Sequence, residues 1–92
     1  MEISEYKEVY LKFFPADDRL EWIIKEVLKE YFHYGISIEE DGRGYIIIKV
    51  SDADLKEKVK EVINRIVDAY KNDPIMYWLI WYIWKKEVLK EK

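Results

Sequence analysis

Hydrophobic and polar residues alternate in two stretches of the chain, which predicts two regions of β-strand. The first runs from Tyr6 to Phe14, "YKEVYLKFF", and ends at Pro15. The second is "ISIEEDGRGYIIIKV", residues 36–50, which predicts a hairpin because Asp41–Gly44 supplies residues suited to positive φ. If the isoleucines of both arms share the core face, the loop must hold an odd number of residues, three or five.

Elsewhere the hydrophobic residues recur at helical spacing. Residues 16–35, "ADDRLEWIIKEVLKEYFHYG", predict a helix that Asp17 or Asp18 caps and Gly35 stops. Residues 51–71 predict a second helix, with one apolar stripe and an otherwise charged surface. Asn72-Asp73-Pro74 then has the order typical of a helix stop, an N-cap and a first helical position.

The most unusual segment is "IMYWLIWYIW", Ile75 to Trp84, which has no charge and contains three tryptophans and two tyrosines. We expect a helix from Pro74 to about Lys90, because a strand here would be apolar on both faces and "KKEVLKEK" would not end it. A fourth strand remains the alternative. Ten residues are too few to cross a bilayer, which takes about 20, and the segment lacks the basic face of an interfacial helix.

The predicted element order is strand, helix, strand, strand, helix, helix. It indicates one α+β domain over residues 1–92 that resembles half of a ferredoxin-like fold. We expect a three-stranded antiparallel or mixed sheet in the order 1-3-2, two helices on one face and a third, C-terminal helix. A complete ferredoxin-like fold has a fourth strand beside the first, so the outer edge of the first strand is predicted to be unpaired.

Composition narrows the possible chemistry. The 92 residues carry a net charge of −3 with Lys and Glu intermixed, which argues against a nucleic-acid-binding face. There is no cysteine, and His33 is the only histidine, so we expect no metal site, no cofactor and no enzymatic activity. The charged N-terminal segment "MEISEYKEVY" is unlike a signal peptide.

The last predicted helix has an aromatic side and an aliphatic side. The aliphatic side carries Ile75, Met76, Leu79, Ile80 and Ile83. A helix that is apolar all round must be surrounded, and the second helix offers only one stripe. Because Trp and Tyr are enriched at interface centres, we predict that the aromatic side binds a partner chain. Its predicted partner-binding residues are Tyr77, Trp78, Trp81, Tyr82, Trp84 and Val88.

The unpaired first strand gives a second predicted partner site, where a partner strand would satisfy free backbone groups. Its residues are Tyr6, Glu8, Tyr10 and Lys12. The alternative is a monomer whose last helix covers the open sheet face, against Tyr10, Tyr45 and Ile47. Trp22, outside the first helix's apolar stripe, is either an exposed aromatic, a cover for a loop or part of an interface.

The segments "FPADDRLEWIIKEVLKEY", "EEDGRGYIIIKVSDADLKEKVKEVINRI" and "KNDPI" combine near-ideal caps, short loops and Lys/Glu surfaces. In this the chain resembles de novo designed α/β proteins, although Ile75–Trp84 departs from the surface of an idealised monomer. Such designs include building blocks that pair through a sheet edge and flanking helices. The resemblance implies a partner protein chain, with a heterodimer favoured over a homodimer. From the charge, the length of the apolar segment and the lack of convergent polar groups beside the aromatic residues, we expect no nucleic acid, membrane or small-molecule substrate. The resemblance implies no natural localisation, and a soluble, cytoplasmic product on recombinant expression.

Overall fold

The computed structural model describes residues 3–5, 10–15, 17–32 and 34–90, and for residues 4, 5 and 87–90 it describes the backbone alone. These residues form four strands and three helices. In chain order the elements are β1 (Ile3–Glu5), β2 (Tyr10–Phe13), α1 (Asp18–Tyr31), β3 (Ile36–Glu40), β4 (Ile46–Val50), α2 (Ala53–Asn72) and α3 (Pro74–Lys90).

The three predicted strands lie in the predicted order. β4 is central and pairs antiparallel with β2 on one side and with β3 on the other. The register places Ile48 between Leu11 of β2 and Ile38 of β3. The α+β class, the strand order 1-3-2 and the helical state of residues 74–90 are therefore confirmed.

A further strand, β1, occupies the edge that was predicted to be open. It pairs antiparallel with β2, so that Ile3 lies opposite Phe13 and Glu5 opposite Leu11. The prediction of an unpaired first-strand edge is therefore wrong for the described residues. The physical reason is local: a nearby segment of the same chain supplies the hydrogen bonds that the edge of β2 would otherwise lack. β1 takes the sheet position that a ferredoxin-like fold gives to its fourth strand.

The β3–β4 connection has the predicted odd length, five residues from Asp41 to Tyr45. Gly42 and Gly44 both have positive φ, +81° and +93°. The Asp41 carboxylate closes the turn by accepting hydrogen bonds from the N–H groups of Arg43 and Tyr45 at 2.8 and 3.2 Å. Donation by Arg43 holds the pKa of Asp41 below its ordinary value. This turn fixes the register that puts Ile36, Ile38, Ile46 and Ile48 on the core side of the sheet.

Each helix is preceded by an aspartate whose carboxylate accepts a hydrogen bond from the backbone N–H three residues on. The three pairs are Asp17 with Leu20 at 2.8 Å, Asp52 with Leu55 at 2.8 Å and Asp73 with Met76 at 3.3 Å. The C-terminal boundary of α1 differs from expectation, because the helix ends at Tyr31 and not near Gly35. Gly35 instead has φ +86° where β3 begins, and its carbonyl accepts from Ser51 at 2.9 Å.

One buried cluster joins the sheet to α1 and α2. Its members, among the described residues, are Leu11, Phe13, Leu20, Ile23, Ile24, Val27, Leu28, Ile46, Ile48, Val50, Val59, Ile63, Ile66, Val67 and Tyr70. The strand residues in the cluster all belong to one sheet face, so α1 and α2 cover that face as predicted.

The opposite sheet face is not covered by α3. This helix packs on α1 and α2, which makes it a third layer on the helical side of the molecule. The alternative in which the last helix lies against Tyr10, Tyr45 and Ile47 is therefore wrong. The open face is instead occupied by its own side chains: Phe14 packs edge-on against Tyr45 with ring centroids 5.3 Å apart, and Lys49 pairs with Glu39 at 3.3 Å.

Candidate protein-interaction surface

The inner side of α3 is held by a cluster of aromatic rings from two helices. Trp78 and Tyr82 stack with their ring centroids 4.9 Å apart and their planes 18° from parallel. Trp22 of α1 contacts both rings, at 6.4 Å from Trp78 and 6.2 Å from Tyr82. Offset and tilted rings at these separations attract each other, and this attraction adds to the free energy gained from the surface they bury. Trp22 therefore serves to attach α3 to α1.

Charged side chains of both helices complete this contact. The Arg19 guanidinium lies 5.2 Å from the Trp78 ring centroid, and the Lys85 ammonium lies 5.6 Å from that of Trp22. Lys85 also forms an ion pair with Glu26 of α1. Cations over ring faces add attraction to the stacking, and the ion pair ties the second half of α3 to α1. The inner side of α3 thus packs against groups of the same chain.

Trp81 connects the aromatic side chains of α3 with the buried cluster. Its ring lies edge-on to Tyr77 at 6.4 Å and to Trp84 at 5.4 Å. Tyr77, Trp78 and Trp81 pack against the buried cluster, and the indole Nε1 of Trp81 is buried without a hydrogen-bond partner among the described residues. Such burial shows that this ring belongs to the fold.

The aromatic side of α3 thus faces the interior, opposite to the orientation that we predicted. Tyr77, Trp78, Trp81, Tyr82 and Trp84 are all half-buried, and the Val88 side chain lies outside the described residues. The reason is that α1 presents matching groups, Trp22 with Arg19 and Glu26, outside its own apolar stripe. That pattern was readable in the sequence and is the signal that could have oriented the helix. Contact of the aromatic residues with a partner stays a prediction.

The outer side of α3 is aliphatic and exposed. The solvent-exposed fractions are 59% for Ile75, 54% for Met76, 59% for Ile80 and 57% for Ile83. Half-buried Leu79 lies on the same side, and we call these five residues the aliphatic face. Isolated exposed hydrophobic residues are ordinary, but four large ones within nine residues of one helix form a contiguous patch.

Charged residues bound the aliphatic face at its two ends. Asp73, the exposed N-cap, precedes it, and exposed Lys86 follows it. The Lys86 ammonium lies 4.7 Å from the Tyr82 ring centroid, at the border between the two sides of the helix. An apolar patch with a charged border is the arrangement typical of an interface.

A shallow apolar groove of about 200 Å³ adjoins the aliphatic face. It is lined by Glu30 and Tyr31 at the end of α1 and by Ile80, Trp81 and Trp84 of α3. Since Ile80 belongs to both, the groove extends the apolar surface from α3 towards α1. The groove offers a place for a side chain of a bound partner.

The predicted strand site is separated from α3. Tyr6 and Glu8 lie outside the described residues. Tyr10 and Lys12 belong to the open sheet face, where Lys12 lies 3.8 Å from the Asp41 carboxylate and 4.7 Å from the Tyr45 ring centroid. α3 is on the opposite, helical side of the sheet. The two predicted parts of the partner site are therefore not brought together.

Other kinds of site find no support in the described part of the chain. The Asp and Glu side chains described there form no group of three that could hold a metal ion, and His33 is not among the residues described. No described helix has the length and apolar character needed to cross a membrane. Comparisons with protein-family models, curated proteins and solved structures found no match. Any conclusion about function therefore rests on the surface of α3 described above.

Proposed function

We propose that this chain is a non-enzymatic protein-interaction domain that binds a partner protein chain through the aliphatic face of α3. The observation that carries the proposal is the exposure of Ile75, Met76, Ile80 and Ile83 on one side of a helix whose other side is already packed. Covering these side chains removes apolar surface from water, which contributes a favourable free energy of about 25 cal/mol per Å² buried. A partner helix laid along α3 would cover them in the helix-in-groove manner.

The attachment of α3 supports this function, because a rigid surface loses little conformational entropy on binding. Trp22, Trp78 and Tyr82 hold the helix to α1 through ring contacts, and Lys85 holds it through Glu26. The partner therefore meets an ordered helix, and the free energy of covering the aliphatic face goes largely into affinity.

A designed origin belongs to the same proposal. Three aspartate N-caps and a glycine turn of the expected length agree with the idealised local chemistry of designed α/β proteins. An exposed apolar face on such an idealised scaffold departs from the usual practice for a monomer. That departure favours a building block intended to bind a partner.

A display selection tests the proposed face without a known partner. A library of amphipathic helical peptides is selected on the immobilised chain, and each recovered peptide is then measured against two variants. Ile80→Glu puts a charge in the centre of the aliphatic face, whereas Asn64→Glu puts the same residue at an exposed position of α2. We expect Ile80→Glu to weaken peptide binding at least about thirtyfold, because a charge buried at the centre of the interface should cost as much as the loss of a hot-spot residue, about 2 kcal/mol or more.

The matched variant separates the face from general surface charge. Asn64→Glu should leave peptide binding within about twofold of the original chain. Peptides that bind both variants as tightly as the original chain would show that the aliphatic face is not the binding surface.

A further inference from the structure

We infer that the partner is a second copy of the same chain, and that the two α3 helices pair antiparallel through their aliphatic faces about a two-fold axis. This inference rests on the proposed function and adds the identity and geometry of the partner. It is carried by two properties of the face: four of its five residues, Met76, Leu79, Ile80 and Ile83, are symmetric about the midpoint between Leu79 and Ile80, and the charges at its two ends are opposite in sign.

The residue positions of the aliphatic face are compatible with a two-fold axis. Met76 and Ile83 are seven residues apart, so they differ by only about 20° around the helix, and both lie along its exposed side. A two-fold axis passing between Leu79 and Ile80 places Met76 opposite Ile83 of the second copy and places each Ile80 beside the other. Leu79 meets its counterpart on the other flank. Every aliphatic side chain near the axis then contacts another aliphatic side chain, as an isologous interface requires.

The border charges favour the antiparallel direction. In that arrangement the exposed Asp73 of one copy lies at the same level along the helix pair as the exposed Lys86 of the other, on both ends of the interface. A parallel pair would instead place Lys86 beside Lys86 and Asp73 beside Asp73. The antiparallel pair also brings the positive N-terminal end of each α3 next to the negative C-terminal end of its neighbour.

The size of the face sets the expected strength. From Ile75 to Ile83 the helix rises about 12 Å, so the contact is smaller than the roughly 800 Å² per partner of a standard interface. The adjoining groove at Tyr31 and Trp84 extends it. We therefore expect a concentration-dependent dimer with a dissociation constant in the micromolar range.

Site-directed disulfide cross-linking tests the geometry, since the chain contains no cysteine of its own. Ile80→Cys alone should give a covalent dimer under mild oxidation. Met76→Cys alone should not, because the two positions lie about 10 Å apart along an antiparallel pair, beyond the reach of a disulfide. An equimolar mixture of Met76→Cys and Ile83→Cys should cross-link between the two variants. Efficient cross-linking of Met76→Cys by itself would overturn the antiparallel arrangement.

Sedimentation equilibrium tests the energetics on the unmodified chain. We expect Ile83→Glu to raise the dimer dissociation constant at least about thirtyfold. Lys86→Glu should raise it about fivefold, since each copy then places a glutamate, and no longer a lysine, at the level of Asp73 of the other. Asn64→Glu, on the charged surface of α2, serves as the control and should leave the constant within about twofold.

Failure of this inference is distinguishable from failure of the proposed function. A chain that sediments as a monomer up to millimolar concentration, and gives no mixed cross-link, is not its own partner. If selected helical peptides still bind it in an Ile80-dependent manner, the aliphatic face binds a different protein and the proposed function stands. If neither self-association nor Ile80-dependent peptide binding is found, both are wrong.

Discussion

At the scale of single residues, one hydrogen-bonded pair ties the end of α2 to the start of α1. The buried Tyr70 hydroxyl donates to both oxygens of the Asp17 carboxylate, at 2.8 and 2.7 Å, while that carboxylate also accepts from the Leu20 N–H. Burial, together with the adjacent carboxylate, raises the pKa of Tyr70 to about 12. Burial works to raise the pKa of Asp17, but donation by Leu20 and Tyr70 outweighs it and leaves that pKa below its ordinary value. The same carboxylate thus caps a helix and anchors its neighbour.

Replacing the tyrosine should remove both a hydrogen bond and a pH dependence. We expect Tyr70→Phe to lower the free energy of unfolding by about 1–2 kcal/mol at neutral pH. In the original chain the raised pKa contributes stability that is complete below pH 10 and is lost as the pH rises to about 12. Urea unfolding at neutral pH and at steps through this alkaline window measures both effects.

The control for that experiment is Tyr34→Phe, because the Tyr34 side chain is 91% exposed. It should change stability by less than about 0.5 kcal/mol and retain the alkaline loss seen in the original chain. An alkaline profile of Tyr70→Phe that coincides with that of Tyr34→Phe would contradict the role given to the buried hydroxyl.

At the scale of elements, α3 divides into a side that packs against the fold and a side that is exposed to solvent. Trp81 contacts the buried cluster, whereas Ile80, its neighbour in sequence, is more than half exposed. We therefore expect substitutions at these two adjacent residues to have different effects on the stability of the fold.

Alanine substitution at these two positions measures the division. Trp81→Ala should cost about 2–4 kcal/mol of unfolding free energy, because it leaves a cavity between α3 and the core. Ile80→Ala should cost less than about 0.5 kcal/mol, since little burial is lost and alanine favours the helix. Both are measured by denaturant unfolding of dilute protein, so that association does not contribute. Equal losses at the two positions would mean that α3 is oriented differently.

The β3–β4 turn offers a second matched pair. Gly42 and Gly44 both have positive φ, but a Cβ at Gly42 would meet nothing within 4 Å, whereas one at Gly44 would lie 2.9 Å from a Phe14 ring carbon. We expect Gly42→Ala to cost about 1 kcal/mol from backbone strain and Gly44→Ala to cost at least about 1 kcal/mol more. Thermal unfolding of the two variants, measured side by side, tests whether Gly44→Ala loses more stability than Gly42→Ala. Equal losses of stability would contradict this expectation.

Local chemistry explains why most elements were predictable. The aspartate caps, the glycine turn and the apolar periods each act within a few residues, so the pattern at Asp73-Pro74 was sufficient to start α3. Which side of that helix faces inward depends on what α1 presents, and this is a tertiary property. A helix that is apolar all round has no polar side to settle the choice, and so the inward packing of the aromatic side was not predicted.

At the scale of the whole molecule, the layers run from an open sheet face, through α1 and α2, to α3 on the outside. β1 borders the sheet on the side of β2, and Ile3 packs against the buried cluster. A strand of three residues carries too few positions for a period of two to be recognised, and so it was not predicted. Only long-range pairing reveals that it covers the edge of β2.

Removal of β1 should change how the molecule associates. A chain lacking residues 1–5 leaves the outer edge of β2 without its partner strand, and we expect it to self-associate through that edge. Ile3→Ser is the matched control, because it keeps the backbone pairing and loses only side-chain burial, about 1 kcal/mol. Thioflavin T binding and sedimentation distinguish them: both should lose stability, but only the shortened chain should form β-rich assemblies. A shortened chain that associates no more than Ile3→Ser would show that β1 does not protect the edge.

The packing of α3 also determines what tryptophan fluorescence reports about this protein. All four tryptophans, Trp22, Trp78, Trp81 and Trp84, lie within the contact between α3 and the rest of the chain. The sheet and the α1–α2 core contain none. Indole emission is therefore a local reporter of whether α3 is docked, while far-ultraviolet circular dichroism follows the backbone of every element. If α3 detaches before the core melts, the two signals will separate along a denaturant titration, and the outermost layer can be watched on its own.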